Sequence, residues 1–504
     1  MERLLILPLV LPILAMILSL ISGRKLLFRQ VSSFALAAAQ LVVSIVILII
    51  VYQDGILVMQ AGSWPAPYGI TLVIDMFSAI MLFFSGLIGF TATLYAIGFI
   101  DRIPQNRHFY LLFNTLLLGV NGAFITGDVF NLYVWFEIMI ISSFVLITLG
   151  GERKQLEGAI KYVTINLVAS MIFLAAAGLL YGKTGTLNMA DLAYKLSVEP
   201  GAAIVNSSAM LFFIAFAIKA AIFPFFFWLP ASYHTPPVAV TALFAGLLTK
   251  VGVYAMIRFF TLFFMNDGGQ WKILFLTLGS LTMIIGVLTA ASQYDLRKIL
   301  SFHIISQIGY MLVGLGFFTP LGIAGSIYFM GHNIVAKTNA FFVAGIIWKL
   351  KGSYQLKEIG GLYKSHPFIA LLFLIPAFSL AGVPPLSGFF GKLVLIKAGF
   401  DSGNFLVASI ALLVGLLTMF SMIKIWNEAF WKDQPEIPRQ VRPGEVKDTP
   451  LKPGIFLVLP AVILAGLSIA MGIAVGFFFK FAMIAAEQLL YPAEYIEAVL
   501  GKTF

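Results

Sequence analysis

The chain has 504 residues, 60% hydrophobic and only 11% charged, where a soluble domain carries about 25% charged residues. That excludes a large soluble domain and reads as an all-α polytopic membrane protein. The absence of cysteine excludes disulfides, thiolate metal sites and cysteine nucleophiles. The formal charge of +10 is assigned to basic loops on one membrane face rather than to nucleic acid.

At about 20 apolar residues per crossing, the pattern predicts about fourteen transmembrane helices. They fall near 3–21, 31–52, 72–99, 109–126, 130–149, 159–181, 208–229, 237–260, 272–292, 298–317, 321–347, 368–398, 405–430 and 454–480. Residues 3–21 are long enough to span and lack a small-residue cleavage site, so they read as an uncleaved first helix. The 321–347 and 368–398 segments are long enough to require a tilt or a break. With the N-terminus outside, nineteen Lys and Arg residues fall in cytoplasmic loops and seven, Arg258 among them, on the outer side. That bias supports both termini outside, in the plasma membrane. The Pro-rich loop 431–453 reads as a cytoplasmic docking or covering segment, and 182–207 as an outer loop with one short helix. The tail 481–504 is amphipathic and suited to the outer interface. The expected organisation is therefore 1–108, helices one to three; 109–260, a first five-helix unit; 272–430, a second; 431–453, the loop; and 454–504, the last helix with its tail.

The stretch 208–260 organises the rest. Its two apolar helices flank a joint holding Pro224, Pro230, Pro236 and Pro237, and carry Lys219 and Lys250 near their middles. An ammonium at bilayer depth costs about 3 kcal/mol on insertion scales, so each needs a partner or a task. Broken backbone at that depth survives only when buried in protein or lining a wet cavity. Inside the predicted spans lie six basic residues, Lys219, Lys250, Lys337, Lys392, Lys397 and Lys424. Lys219 and Lys392 are 173 residues apart, Lys250 and Lys424 are 174 apart. Helices four to eight then repeat as nine to thirteen. An odd repeat of five spans must insert in opposite orientation, giving two inverted repeats. The LAGVPPLSGFFGK segment supplies the second copy's interruption, although proline follows Lys219 and precedes Lys392.

Glu137, in the middle of the fifth span, is the carboxylate at bilayer depth; Asp75 and Glu428 read as interfacial. Lys219 is its expected partner, as a titrating pair or a static one. Lys250, Lys337 and Lys392 have no acid to spare at their depth, so a chain of lysines with water between them could pass protons. His332, five residues before Lys337, is a natural relay. His303 fits either a relay or a hydrogen-bonded helix histidine. Lys397 and Lys424 fit snorkelling or capping, and Ser306, Gln307, Asn333 and Asn339 fit interhelical glue. No nucleotide-binding glycine pattern or metal-ligand cluster is present in the sequence, so no cofactor, ATP chemistry or enzyme activity of its own is expected.

Three stretches, AIKAAIFPFFFWLPASYHTPPVAVTALFAGLLTKVG, DLRKILSFHIISQIGYMLVGLG and GHNIVAKTNAFFVAG, resemble the antiporter-like subunits of complex I and the Mrp cation/proton antiporters, over nearly the whole chain. The FHIISQIGY wording is most similar to the D-type branch of the Mrp subunits. The resemblance implies fourteen core helices in two inverted five-helix repeats, with broken seventh and twelfth helices. It implies Glu137 and Lys219 as the fifth- and seventh-helix ion pair and Lys250 as the connecting lysine. His332 and Lys337 would be the eleventh-helix pair and Lys392 the twelfth-helix terminus. The His332–Lys337 spacing of five departs from the four common in relatives, which points to a local bulge. The implied function is proton translocation in a multi-subunit Na⁺/H⁺ antiporter, with other membrane subunits, H⁺, possible Na⁺ and lipid as partners. The alternatives are a proton-pumping subunit of a respiratory NADH–quinone complex and a non-transporting scaffold.

Overall fold

A chain this apolar has one way to satisfy its backbone in lipid, which is to coil every crossing segment into helix. A computed structural model describes residues 4–23, 25–99, 108–198, 203–264, 269–435 and 453–501. In chain order the first half contains α1 (Leu7–Ile21), α2 (Leu26–Asp54), β1 (Leu57–Gln60), β2 (Thr71–Ile74), α3 (Met76–Phe99), α4 (Phe109–Ile125), α5 (Val129–Thr148), α6 (Arg153–Thr184), α7 (Met189–Val198), α8 (Ala203–Ala220), α9 (Trp228–Tyr233), α10 (Val238–Leu243) and α11 (Thr249–Leu262). The second half contains α12 (Gln270–Ser292), α13 (Leu296–Gly316), α14 (Pro320–Lys351), α15 (Leu362–Ser365), α16 (Pro367–Ala381), α17 (Ser387–Asp401), α18 (Phe405–Trp426), α19 (Ile455–Ile473), α20 (Val475–Leu490) and α21 (Ala493–Leu500).

Among the described residues, ten helical segments are long and apolar enough to cross a membrane, and three shorter apolar helices, α1, α4 and α16, accompany them. The molecule is thus a multi-pass helical membrane protein. Its centre is built by α10–α11, α13 and α14, which are buried almost all round, while α2 and α18 keep exposed Leu, Ile, Val and Phe on one face. Such apolar faces suit lipid.

Several expected boundaries shift. The segment at 72–99 begins as a strand, because Thr71, Val73 and Ile74 are β-branched and pair antiparallel with β1, Leu57 opposite Ile74. This hairpin anchors one end of the molecule: Gly127 N donates to Thr71 O, and Met189 N to Gly127 O, both at 2.8 Å. The short helix expected within 182–207 is α7. The 321–347 segment is a single unbroken helix, α14, whereas 368–398 divides at 382–386 into α16 and α17. The last span divides at Ala474 and runs on through α20, so 481–490 is helix packed on α14 and α3 rather than a tail. In α21, Tyr495, Ile496 and Val499 are buried against α7 and β1. Most of the expected 431–453 loop, residues 436–452, lies outside the described residues. Its start is held at the opposite end of the molecule, where Gly361 N donates to Lys432 O and Lys364 pairs with Asp433 at 2.7 Å. The Lys364 ammonium draws the Asp433 carboxyl below its usual range.

Candidate functional site

The two breaks place the site. After α8 the chain turns at Ala221, whose φ of 59° is a left-handed conformation costly for a residue with a Cβ. Breaking a helix leaves carbonyls without partners; here Trp228 Nε1 donates to Ile218 O at 2.9 Å. Lys219 sits in the last turn of α8, beside the break. At the second break, Gly382 takes φ 90° and Lys392 Nζ, reaching back from α17, donates to Leu380 O and Ala381 O at 2.8 and 3.0 Å. One lysine precedes its break and the other follows it. The Lys392 ammonium stands at the C-terminal, negative end of a half-helix, whereas the Lys219 ammonium leaves its own break for α6.

Lys219 is buried, 6% exposed. Its Nζ donates to Ser170 Oγ on α6 at 3.2 Å and lies 4.5 Å over the Phe136 ring. The expected partner Glu137 is within electrostatic reach but makes no ion pair with it, and the buried Glu137 Oε1 has no hydrogen-bond partner. Beside them is a cavity with about 20 Å³ open to water centres, lined by Lys219, Tyr162, Asn166, Trp228 and Phe136. That is room for about one water among polar groups.

Lys250 and Lys337 are fully buried. Lys250 Nζ donates to Ala245 O at 2.5 Å, across the π-helical turn 244–248 that joins α10 to α11. Lys337 Nζ donates to Leu300 O on α13 at 3.3 Å. Thus Lys250, Lys337 and Lys392 bond to backbone carbonyls, and among the described residues no carboxylate pairs with any of them. Lys250 and Lys392 lie within electrostatic reach of Lys337, and all three within reach of His332. Between the Lys219 and Lys250 groups, α11 passes so close to the first break that a Cβ added at Gly252 would stand 2.8 Å from Ala220 N.

His332 and His303 are both fully buried. His332 Nδ1 lies 2.9 Å from Ser387 Oγ. The bulge expected between His332 and Lys337 is absent: α14 is α-helical throughout. At about 100° per residue, five positions turn the two side chains about 140° apart. They therefore face different neighbours, His332 toward α16–α17 and Lys337 toward α13. Around them, both nitrogens of His303, Ser306 Oγ, the amides of Gln307, Asn333 and Asn339, Thr249 Oγ1 and His332 Nε2 have no protein partner. Buried polar groups are ordinarily satisfied, by water where protein does not serve. Ser306, Gln307, Asn333 and Asn339, expected as interhelical glue, make no direct side-chain hydrogen bond across helices among the described residues.

Lys424 bonds to Ala291 O and Gln293 O at the end of α12, at 2.7 and 2.5 Å, a capping role. Lys397 is exposed on α17. His234 and His366 sit outside the spans. Burial holds both below the usual imidazole range, helped by Lys298 and Arg297 for His234 and by Lys351 for His366.

Asp75, read as interfacial, and Arg258, read as lying on the outer side, are both buried within the protein. Asp75 is 1% exposed and Arg258 5%. They form a two-point ion pair at 2.5 and 2.8 Å, joined by Ser78 Oγ and Tyr254 OH. Asp75 also accepts from Ser78 N at 2.9 Å, the N-cap of α3. The cap was legible in D-x-x-S; the arginine 183 residues away was not.

Comparison with known proteins gives the family. Residues 126–421 match the family model described as NADH:quinone oxidoreductase/Mrp antiporter, TM. The chain is 46% identical over 501 residues to the D subunit of the Na⁺/H⁺ antiporter of Alkalihalophilus pseudofirmus, covering 99% of this chain and all of that one. It is 39% identical over 504 residues to the D subunit of the Na⁺/H⁺ antiporter of Bacillus subtilis, with the same coverage. A chain in the structure of the Mrp complex from Dietzia sp. DQ12-45-1b superposes with a TM-score of 0.90 at 32% identity, covering 99% of this chain and 100% of that one. By fold, by matched segment and by full-length identity, the chain belongs to the NADH:quinone oxidoreductase/Mrp antiporter transmembrane family.

Proposed function

We propose that this chain is the D-type subunit of a multi-subunit Na⁺/H⁺ antiporter, a secondary transporter rather than an enzyme, and that it moves protons along Glu137, Lys219, Lys250, His332, Lys337 and Lys392. The observation that carries the reading is the set of four buried lysines, each hydrogen-bonded without a carboxylate in contact. Static ion pairs would hold their charge fixed; lysines resting on carbonyls and hydroxyls are free to change it. Full-length identity to antiporter subunits favours this reading over a respiratory complex. The subunit inventory of the purified complex separates the two: small antiporter subunits against dehydrogenase subunits.

The arrangement also supports fourteen crossings and two inverted five-helix units, α4 to α11 and α12 to α18. In each unit a broken helix carries a buried lysine beside its break. On this reading both termini lie outside, in the plasma membrane, with other membrane subunits alongside. Coupling is electrostatic. With Lys219 on Ser170, the Glu137 charge is open; moving the ammonium onto Glu137 closes it. At about 10 Å and an effective dielectric of about 20, removing one unit charge changes a neighbour by about 1.7 kcal/mol, more than tenfold in its proton affinity. Glu137→Ala and Lys219→Ala should each abolish Na⁺-driven proton movement in everted vesicles while the complex stays assembled on native gels. Wild-type transport in either variant removes the mechanism.

A further inference from the structure

His332 is held by a structure that none of the lysines has. Its Nδ1 lies 2.9 Å from Ser387 Oγ and 3.3 Å from Ser379 Oγ. Those two hydroxyls are 3.1 Å apart. Each also reaches Ser468 Oγ, at 3.2 Å from Ser387 and 3.1 Å from Ser379. The three hydroxyls thus close a triangle, and all four side chains are fully buried. They come from four helices: His332 from α14, Ser379 and Ser387 from the two sides of the second break, and Ser468 from α19. Tight packing fixes the group. Gly388 N donates to Ser379 Oγ at 3.3 Å, and a Cβ added at Gly388 would stand 2.8 Å from the His332 ring.

A hydroxyl donates one hydrogen bond and accepts others, so a closed ring of three spends all three hydroxyl hydrogens within the ring. A serine can then only accept from His332 Nδ1, which carries the imidazole proton and leaves Nε2 an open acceptor. Opening the ring frees one hydroxyl hydrogen to point at Nδ1 and puts the imidazole proton on Nε2. Nε2 has no protein partner among the described residues, and the charged groups within electrostatic reach of the ring are Lys392 on α17, Lys337 on α14 and Lys250 on α11. Ser468 bonds only to the two other serines, so its contribution is to close the ring.

We propose that Ser468 is a positioning residue for proton transfer: it completes, with Ser379 and Ser387, a hydroxyl ring that sets which nitrogen of His332 carries the proton. This rests on the reading that the row moves protons. The competing account is that the three serines merely glue helices together.

The test uses the whole complex in everted vesicles, with rates per assembled complex measured against Na⁺ concentration and pH. Ser468→Ala should lower the maximal rate about tenfold, the worth of one buried hydrogen bond. The Na⁺ concentration for half-maximal rate should stay, and the pH profile should move. Ser468→Thr, which keeps the hydroxyl, should restore the rate. Ser387→Ala should show the same loss, and the double variant should be no worse than the poorer single one. A Ser468→Ala complex that transports at the wild-type rate with an unmoved pH profile overturns the proposal, even if less of it assembles. So does a Ser468→Thr complex as slow as Ser468→Ala. If Ser468→Ala does not assemble, Ser387→Ala decides: a tenfold loss supports the ring and a normal rate refutes it. His332→Gln separates the layers. Impaired His332→Gln beside normal Ser468→Ala sinks the ring alone, while normal His332→Gln removes His332 from the row.

Discussion

Two buried charges sit on α11, eight residues and about 12 Å apart, and they are built on opposite principles. Arg258 is matched by Asp75 at two points, backed by Ser78 and Tyr254, and Tyr254 OH is itself anchored to Phe124 O at 2.8 Å. Lys250, two turns earlier, has a single backbone carbonyl. The first group is closed: every charge has its complement, and nothing is gained by moving a proton. The second is open, with partly satisfied polar groups around it. Burial alone therefore does not distinguish the proposed proton row from a structural charge. What separates the two is whether the charge is already answered.

The sharpest way to break this contrast is Arg258→Ala. It strands Asp75 as an unpaired buried charge, so the complex should lose about 3–5 kcal/mol of stability. That would be read as a large fall in thermal midpoint or in the yield of assembled complex. Asp75→Asn combined with Arg258→Met should recover much of that loss. If the double variant is as unstable as the single one, the pair is not closed in the sense argued.

Lys337→Met should behave in reverse. No carboxylate is left behind, so stability should change by less than about 1 kcal/mol, while Na⁺-driven proton movement disappears. A stability loss like that of Arg258→Ala would show that Lys337 has a charged partner after all. Lys424→Met should be mildest. It removes a cap from the carbonyl end of α12, worth about 0.3–1 kcal/mol, and should leave transport within about twofold, a shift of roughly 0.4 kcal/mol in barrier. Complete loss of transport would move Lys424 from the closed group into the open one.

Much of this was legible in the sequence, and the omissions have a common cause. Apolar runs and embedded lysines are local signals, so the helices and Lys219, Lys250, Lys337 and Lys392 could be read directly. The prolines and glycines around 224 and 382–388 marked both breaks for the same reason. The partner of Asp75 was not legible, because its local context, an acid three residues before Ser78, is that of an ordinary N-cap while its ion pair spans 183 residues. Ser379, Ser387 and Ser468 were invisible for the same reason, since serine is common in membrane helices and only folding brings them within 3.2 Å of one another. Glu137 and Lys219 were legible as residues but not as a geometry, because Ser170 competes for the ammonium. The five-residue spacing on α14 was legible too, but its meaning depended on which helices stood on each side.

That last helix has a mechanical consequence. At 32 residues α14 is about 48 Å long, without a kink, and it touches α3, α10, α13, α16, α17, α19 and α20. His332 and Lys337 are therefore two cranks keyed to one stiff shaft. A roll of the shaft that swings one crank toward its neighbour would swing the other through the same angle elsewhere, so in the proposed row neither could be retimed alone.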